Sequence, residues 1–310
     1  MRARERVIRL GPQQQAPRLS VLTPFYRDDP SPLLTRCAHA PADVEFILLD
    51  DGSGDAGLLA RVISAAQATG APVRIIVREQ NAGRAAARNR LIAEARGEYV
   101  LFLDADMIPD RASFLAAWLS VTRCQQPEVA FGGLSLRHAA RTRATALHYD
   151  LFGRSDCRSL ADRQKAPAQS VATANLLVRR SFLAAHPFDD GFRGWGFEDT
   201  EWALRAARVT EILHIDNPAT HAGLDNAETL LRKSAEAGPN FARLAAKHPH
   251  DVRRFAGHRA ARLLRASPAR RAVRGASAWL ARDPIGAAPM PLRRMALKLF
   301  RASHYAEHLP

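Results

Sequence analysis

The sequence contains little cysteine and no long apolar run. Its three cysteines, Cys37, Cys124 and Cys157, form no CxxC motif. A disulfide-built scaffold is therefore excluded, and reduced thiols in a cytosolic protein are expected. No segment approaches the ~18 consecutive apolar residues that a membrane-spanning helix requires. The basic start, residues 1–15, has no apolar stretch behind it, so we expect no signal peptide.

Internal repeats and low-complexity blocks are also absent. Apolar residues make up 47% and charged residues 25% of the 310 residues, which excludes a disordered chain and a collagen-like repeat. The length suits one large α/β domain or two small ones.

Acidic residues become scarce towards the C-terminal end. Residues 251–310 hold 13 Lys+Arg and 3 Asp+Glu, so this segment carries +10 of the net charge of +14. The shift predicts a domain boundary near residue 250. A basic amphipathic helix here would suit an anionic membrane surface. Alternatively, these helices pack on the catalytic domain and leave their arginines in solvent.

Short apolar runs alternate with helix-favouring stretches in the first 110 residues. The runs cover 19–23, 44–49, 73–77 and 99–103, and the Ala- and Arg-rich segment 83–95 favours a helix. This alternation predicts an α/β fold with a mainly parallel, Rossmann-like sheet flanked by helices. Such sheets bind ligands at the carboxyl ends of their strands.

Two pairs of carboxylates follow predicted strands. Asp104 and Asp106 stand at i and i+2, so both can aim at one point and supply the oxygen ligands that Mg²⁺ or Mn²⁺ prefers. Asp50 and Asp51 precede Gly52 and could accept hydrogen bonds from a base or ribose. Each pair is also typical of a plain strand-end turn.

Three further groups carry potential chemistry. Arg84 and Arg88 share one face of the predicted helix and could meet a diphosphate, or they form a solvated basic face. In the segment 192–202, glycines flank Trp195, which favours an exposed indole that stacks on a sugar ring, or a core anchor. Acidic residues follow at the start of a helix, where one could act as a general base. His221 could complete a metal site.

Together these pieces resemble a family 2 glycosyltransferase of the GT-A fold. The resemblance rests on Thr-Pro-Phe-Tyr at 23–26, Asp-Asp-Gly-Ser at 50–53, Asn-Ala-Gly at 81–83 with Ala-Arg-Asn at 87–89, and Asp-Ala-Asp at 104–106. The motif Gly-Trp-Gly-Phe-Glu-Asp at 194–199 also resembles the acceptor-side motif of galactosyltransferases and chondroitin-type polymerases. The order and spacing of these short motifs together are specific.

The resemblance implies a GT-A catalytic domain over residues 19–250. Its donor half would cover about 19–110 and its acceptor half about 111–225, and a basic helical extension would follow at 251–310.

The resemblance also implies a role for each matching residue on the donor side. The implied donor-binding residues are Thr23, Pro24, Asp50, Asp51, Asn81, Arg84, Arg88 and Asp104. Of these, Asp51 with Asp50 would hold uracil or ribose. Asp104 and Asp106 match the DxD motif, which binds ribose and a divalent metal, and His221 matches the histidine that completes the metal site.

On the acceptor side, the resemblance implies that Asp199 is the catalytic base. Glu198 and Trp195 would orient the acceptor sugar, while Phe197 departs from a pattern in which glycine is frequent. The implied activity is metal-dependent, inverting transfer of a hexose or N-acetylhexosamine from a nucleotide-sugar, expected to be a UDP-sugar, to a glycan or lipid-linked acceptor. Surface polysaccharide or glycoconjugate synthesis is the expected setting. The protein would be cytoplasmic, with peripheral contact to the inner face of the membrane through 251–310.

Three alternatives stay open at this point. The basic tail would suit a nucleic-acid-binding protein, but it has few aromatics for base stacking and no recognised binding module. A sugar-phosphate nucleotidyltransferase would need a glycine-rich basic loop where this chain has Thr-Pro-Phe-Tyr-Arg-Asp at 23–28. An inactive sugar-binding relative is disfavoured because the candidate catalytic and metal residues are all present.

Overall fold

The computed structural model describes residues 5–12 and 16–309. Residues 1–4 and 13–15, on which part of the signal-peptide expectation falls, lie outside the described residues, as does Pro310. The described chain forms two compact units. Unit 1 comprises the described residues of Met1–Ala139, Asp156–Asp190 and Trp202–Gly223, and unit 2 those of Ala140–Ser155, Gly191–Glu201 and Leu224–Pro310.

The strands are β1 (Glu5–Leu10), β2 (Leu19–Phe25), β3 (Val44–Asp50), β4 (Val73–Arg78), β5 (Tyr99–Leu103), β6 (Met107–Pro109), β7 (Val129–Phe131), β8 (Leu134–Ser135), β9 (Asn175–Arg179), β10 (Ile212–His214) and β11 (Ala219–His221). The helices are α1 (Ser31–Arg36), α2 (Ala56–Gln67), α3 (Arg84–Glu94), α4 (Phe114–Cys124), α5 (Ala146–Ser155), α6 (Leu160–Lys165), α7 (Arg180–Ala185), α8 (Glu198–Ala206), α9 (Ala227–Glu236), α10 (Gly238–Lys247), α11 (Pro249–Val252), α12 (Ala256–Arg265), α13 (Arg270–Arg282) and α14 (Met290–His308).

The main sheet of unit 1 confirms the predicted α/β class. Within the described residues, its eight strands run in the order β1-β4-β3-β2-β5-β9-β7-β10. The segment β4-β3-β2-β5 is parallel, whereas β1 and β9 are antiparallel to their neighbours. All residues of β3 and β5 are buried, because helices cover both faces of such a sheet and leave no solvent side.

One buried carboxylate interrupts the apolar pattern of β3. Glu45 accepts a hydrogen bond of 2.6 Å from the Ser20 hydroxyl and an ion pair of 2.8 Å from Arg74 Nη2. Its Oε1 also accepts the backbone N–H of Arg96. A buried charge is tolerated when it is paired and its lone pairs are used, so Glu45 joins neighbouring strands rather than opening the core.

A second, small sheet carries the segment that follows the Asp-Ala-Asp motif. It has the order β6-β11-β8, with β11 antiparallel to β6 and parallel to β8. The Asp110 carboxylate accepts hydrogen bonds from the hydroxyls of Ser135 (2.8 Å) and Thr220 (2.7 Å). The chain that follows β6 is therefore bonded to both β8 and β11, and the buried carboxylate has the hydrogen-bond partners that it needs.

The helices of unit 2 form their own apolar core. Side chains from α5, α9, α13 and α14 build it, among them Leu147, Leu230, Leu297 and Phe300. The expected boundary near residue 250 does not coincide with this division, because 251–309 pack with 140–155, 191–201 and 224–250 in one unit. In residues 5–12 and 16–309, no helix combines the length and apolar character needed to cross a membrane.

Candidate functional site

The carboxyl edge of β4-β3-β2-β5 gathers most of the predicted donor residues. Thr23 is buried in β2, and Pro24 lies beyond the stretch Leu19–Leu22 that pairs with β5. A proline lacks the backbone donor that a strand flanked on both sides would need, so it fits where pairing has ended on one side. The Asp51 N–H donates to the Phe25 carbonyl at 2.9 Å, which joins the turns after β2 and β3.

The buried Asp51 carboxylate holds the loop that leads into α3. It accepts the backbone N–H groups of Ala82 (3.1 Å) and Gly83 (2.9 Å), and Arg78 Nη1 donates to it at 3.0 Å. The first N–H groups of a helix region have no partner within the helix, so an acceptor from elsewhere stabilises this start. Asp51 therefore has a clear architectural role, and its binding of uracil or ribose stays a prediction.

The turn after β3 fits against the same loop. Asp50 Oδ1 accepts the Ser53 N–H at 2.8 Å. A Cβ atom on Gly52 would lie 2.7 Å from the backbone nitrogen of Asn81, and Gly52 has a φ of +86°, so only glycine fits. Asn81 itself is exposed in this loop. The structure thus brings Asp50, Asp51 and Asn81 together, while their predicted contacts with a nucleotide stay untested.

Two arginines of α3 have different environments. Arg88 is buried, and its Nη2 donates to Asp104 Oδ1 at 3.2 Å. Burial raises the pKa of Asp104, but the charges of Arg88 and Arg84 outweigh it, so the pKa lies below the ordinary value. Asp104 is therefore ionised at neutral pH. Arg84 is exposed, and its charge is close enough to act on both Asp104 and Asp106.

Asp106 and His221 face each other across the small sheet. Asp106 Oδ2 lies 3.2 Å from His221 Nε2. The register pairs His221 with Met107, and the Ala222 N–H donates to the Asp106 carbonyl at 2.9 Å. Three-residue strands thus place together two side chains that are far apart in sequence.

The approach between the two segments is close. A Cβ atom on Gly223 would lie 2.1 Å from Asp106 Oδ2, so glycine is required there. Burial raises the pKa of Asp106, and the negative charges of Asp104 and Asp28 add to this effect. Together they outweigh the opposing charges of His221 and Arg84.

The metal set predicted from the resemblance is not assembled as a cluster of three ligands. In the described part of the chain, no group of three or more His, Cys, Asp or Glu side chains is arranged to hold a metal ion. Asp104 faces Arg88 instead, whereas Asp106 and His221 offer one carboxylate oxygen and one imidazole nitrogen. That donor pair fits a divalent ion whose remaining ligands are phosphate oxygens and water.

In unit 2, residues 191–197 form a loop, called the acceptor loop here because the acceptor role of Trp195 is a prediction. Gly194 and Gly196 have φ values of +75° and +95°. The side-chain amide of the buried Asn240 donates to the carbonyls of Arg193 (2.9 Å), Trp195 (3.3 Å) and Gly196 (3.0 Å). One NH₂ group therefore bonds three carbonyls of the loop, and Trp195 stays partly exposed.

Phe197 occupies the last position of this loop in a left-handed conformation, with a φ of +71°. This conformation costs a residue with a Cβ atom about 1–2 kcal/mol, which explains why glycine is frequent in the resembling motif. Its ring packs on Phe241 (5.3 Å between centroids) and Tyr305 (5.7 Å), and these contacts hold the strained residue in place.

The three acidic residues after Phe197 have different environments. Glu201 is completely buried and pairs with Lys247 at 2.7 Å, so it is structural. Glu198 is buried, whereas Asp199 is partly exposed in the first turn of α8, and its Oδ1 accepts the Thr200 N–H at 2.8 Å. Of the three, Asp199 is the carboxylate that solvent reaches best.

Sequence reasoning missed two residues that shape these sites. Gly223 had a weak signal, since it follows closely on the candidate His221. Asn240 had none, because it lies more than forty residues beyond the loop, in a segment that reads as an ordinary helix.

Comparison with known proteins agrees with the fold of unit 1. Residues 20–122 match the family described as glycosyl transferase family 2. The amylovoran biosynthesis glycosyltransferase AmsB of Erwinia amylovora is 39% identical over 90 residues, which are 28% of this chain and 30% of that protein. The chain thus matches about a third of that relative's length.

Two solved structures share the fold over nearly the whole chain. The mannosyltransferase PcManGT from Pyrobaculum calidifontis, in complex with GDP-Man and Mn²⁺, has a TM-score of 0.60 at 17% identity and covers 95% of this chain and 87% of its own. TarS 1–349 of S. aureus in complex with UDP-GlcNAc has a TM-score of 0.51 at 14% identity, with coverage of 92% and 91%. Residues 20–122 therefore match glycosyl transferase family 2, within a chain that has the GT-A fold.

Proposed function

We propose that this protein is a metal-dependent, inverting glycosyltransferase that uses a nucleotide-sugar, a UDP-sugar by preference. The transferred sugar would be a hexose or N-acetylhexosamine, and the acceptor would be a glycan or a lipid-linked molecule. The observation that carries the proposal is the placement of Asp106 and His221 against each other beside the Asp104–Arg88 pair. These carboxylates and the imidazole lie at the carboxyl edge of a parallel sheet, where such folds bind ligands. Binding of a nucleoside diphosphate therefore explains them better than a purely structural turn would.

On the donor side, Asp106 and His221 would hold the divalent ion, Mn²⁺ or Mg²⁺. When bound, the ion supplies positive charge next to the diphosphate. Arg84 is exposed and adds a guanidinium that can donate to phosphate oxygens. Arg88 keeps Asp104 ionised and oriented, so that Asp104 can accept a hydrogen bond from a ribose hydroxyl.

On the acceptor side, Asp199 would take the proton of the attacking hydroxyl. The acceptor oxygen then bonds to the anomeric carbon as the bond from that carbon to the phosphate oxygen breaks. The nucleoside diphosphate leaves with the electron pair, and a single displacement inverts the anomeric centre. Trp195 offers an indole face to the acceptor ring, and Glu198 would bind one of its hydroxyls.

The donor half of the proposal is tested by calorimetric titration of UDP and GDP, each with and without Mn²⁺. Both nucleotides are included because the solved relatives hold GDP-Man and UDP-GlcNAc. We expect Mn²⁺-dependent binding of UDP that Asp106→Ala weakens about tenfold or more, since a charged ligand to the ion is lost. Unchanged affinity of Asp106→Ala in the presence of Mn²⁺ would refute the role of Asp106.

The acceptor half is tested with Asp199→Asn in an assay of sugar transfer. We expect turnover to fall by about 10²–10⁴-fold, the usual contribution of a general base, while UDP affinity stays the same. Equal loss of donor binding and turnover would contradict the assignment of Asp199 as the base.

Peripheral contact with an anionic membrane on the cytoplasmic side is part of the same proposal. Trp279, Ile285, Leu292 and Met295 lie on α13, the following turn and the start of α14, and each is more than half exposed. Lys298 is exposed one turn further along α14. Apolar side chains beside a basic one suit an anionic interface. Co-sedimentation should show binding to phosphatidylglycerol vesicles that Trp279→Ser with Ile285→Ser weakens; equal binding by this variant would contradict it.

A further inference from the structure

Unit 2 contains a cavity of about 590 Å³ that none of the candidate residues above lines. Its walls come from the end of α10, from α11 and from α12, with Val252 and Leu309 among the buried apolar residues. The volume lies within the range of about 300–1,000 Å³ that is usual for small-molecule sites.

Three arginines converge on this cavity. Arg253, Arg262 and Arg265 line it, and all three are exposed. In the described part of the chain, no carboxylate lies within ion-pair distance of any of these guanidinium groups. Three like charges at one cavity make its potential positive, which favours an anion as the ligand.

Other arginines of unit 2 form ion pairs or hydrogen bonds within the protein. Arg274 pairs with Glu307 at 2.8 Å, and Arg282 pairs with Glu228 at 2.6 Å. The buried Arg293 donates to the Ala281 carbonyl at the end of α13 and faces Asp283 at 3.7 Å. Arginines that serve the fold therefore have partners here. The exposed Arg254 and Arg259 have no carboxylate partner in the described part of the chain either, so what sets the three cavity arginines apart is that they line one cavity.

His258 lines the same cavity, and its pKa is affected by the positive charges of two of these arginines. Burial lowers its pKa below the ordinary value, and the charges of Arg262 and Arg253 lower it further. At neutral pH the imidazole is therefore neutral and can donate one N–H without adding a fourth positive charge.

We propose that this cavity binds a phosphate or diphosphate group that carries a small apolar portion. Guanidinium groups donate several hydrogen bonds in a planar fork, which matches the many oxygens of a phosphate better than a single carboxylate. The apolar wall formed by Val252 and Leu309 would accept the attached carbon atoms. The site goes beyond the proposed sugar transfer, since it shares no residue with the donor or acceptor residues.

The proposal is tested by titrating the full chain with pyrophosphate at low ionic strength. The pocket variant is Arg262→Gln with Arg265→Gln. The matched control is Arg254→Gln with Arg259→Gln, which removes the same charge from exposed positions nearby that do not line the cavity. We expect the pocket variant to lose affinity by about tenfold or more, because charge-assisted hydrogen bonds are removed, and the control by about twofold at most.

A second arm separates the two sources of such a group. Vesicles of phosphatidic acid in phosphatidylcholine are compared with phosphatidylcholine alone, using the same variants. Pyrophosphate binding that only the pocket variant loses supports a free phosphate compound. If the unaltered protein binds phosphatidic acid vesicles but not pyrophosphate, and only the pocket variant loses vesicle binding, the ligand is a lipid headgroup.

Two results would overturn the proposal. In the first, the pocket variant binds both pyrophosphate and phosphatidic acid vesicles as the unaltered protein does. In the second, the pocket variant and the control variant lose affinity equally. Circular dichroism and UDP titration of each variant show that the fold persists. Because these readouts do not involve sugar transfer, failure of this site and failure of the proposed activity are distinguishable.

Discussion

Two loops of the molecule are each fixed by one buried polar side chain, which acts as an acceptor in one loop and as a donor in the other. In unit 1, the Asp51 carboxylate accepts the N–H groups of the loop before α3. In unit 2, the Asn240 amide donates to the carbonyls of the acceptor loop. A loop that presents N–H groups needs an acceptor, and a loop that presents carbonyls needs a donor. The comparison shows that residue type follows from loop polarity. Substitutions of Asn240 and Asp51 test this, and substitutions of Phe197, with a smaller expected effect, test the backbone conformation of the second loop.

Asn240→Asp should have the largest effect. It turns the donor into a carboxylate that faces three carbonyls, at a cost of about 1–3 kcal/mol in the free energy of unfolding. The position in the first turn of α10 returns only about 0.3–1 kcal/mol through the helix dipole. Because the loop carries Trp195 and precedes Asp199, we also expect turnover to fall about tenfold, with UDP affinity unchanged. Urea denaturation and transfer kinetics measure both.

The matched control is Asn226→Asp. Asn226 is the N-cap of α9, where its side chain accepts the Thr229 N–H, and aspartate serves equally well in that role. If both substitutions destabilise the protein to the same extent, the loss at Asn240 is a general effect of added charge and the interpretation is wrong.

Asp51→Asn should have the next largest effect. One carboxylate oxygen becomes an NH₂ group that meets the N–H groups of the loop, and Arg78 loses an ion-pair partner. We expect a loss of about 1–2 kcal/mol in the free energy of unfolding and weaker UDP binding. Asp55→Asn is the control, since Asp55 caps α2 by accepting the Leu58 N–H and asparagine can replace it. Indistinguishable stabilities of these two variants would argue against the special role of Asp51.

Substitution of Phe197 should give the smallest difference. Phe197→Ala and Phe197→Gly both lose the contacts with Phe241 and Tyr305. Only glycine relieves the positive φ, so Phe197→Gly should be the more stable of the two by about 1 kcal/mol. Thermal unfolding checks the order. A more stable alanine variant would show that the left-handed conformation is not kept at this position.

The donor edge was largely predictable from the sequence. β2 to β5 are largely buried on both faces, so each reads as a mostly apolar run, and the polar turns at their ends follow directly. The segment before β2 gave no such signal, because β1 is an edge strand with charged residues at Glu5, Arg6 and Arg9. Charged side chains are common on edge strands, where they discourage pairing with another chain.

Other parts of the site could not be derived from periodicity. β6, β8 and β11 have two or three residues each, too few for any alternation, so the meeting of Asp106 and His221 was expected only from the family resemblance. The basic composition after residue 250 describes the surface of α12 to α14. It does not describe their buried face, which is why the charge shift and the division into units differ.

The pairing of β6 with β11 has a consequence for synthesis of the chain. His221 follows Asp106 by 115 residues, so a ribosome that adds about 5–20 residues per second delivers it about 6–23 s later. The segment that matches the family, 20–122, can emerge and begin to fold long before that. The Asp106–His221 pair is then completed by a late, long-range strand pairing. The main sheet is itself completed only when β10 (Ile212–His214) has been translated. The nascent protein therefore finishes this sheet and the Asp106–His221 pair, the proposed ligands of a divalent ion, at nearly the same late stage.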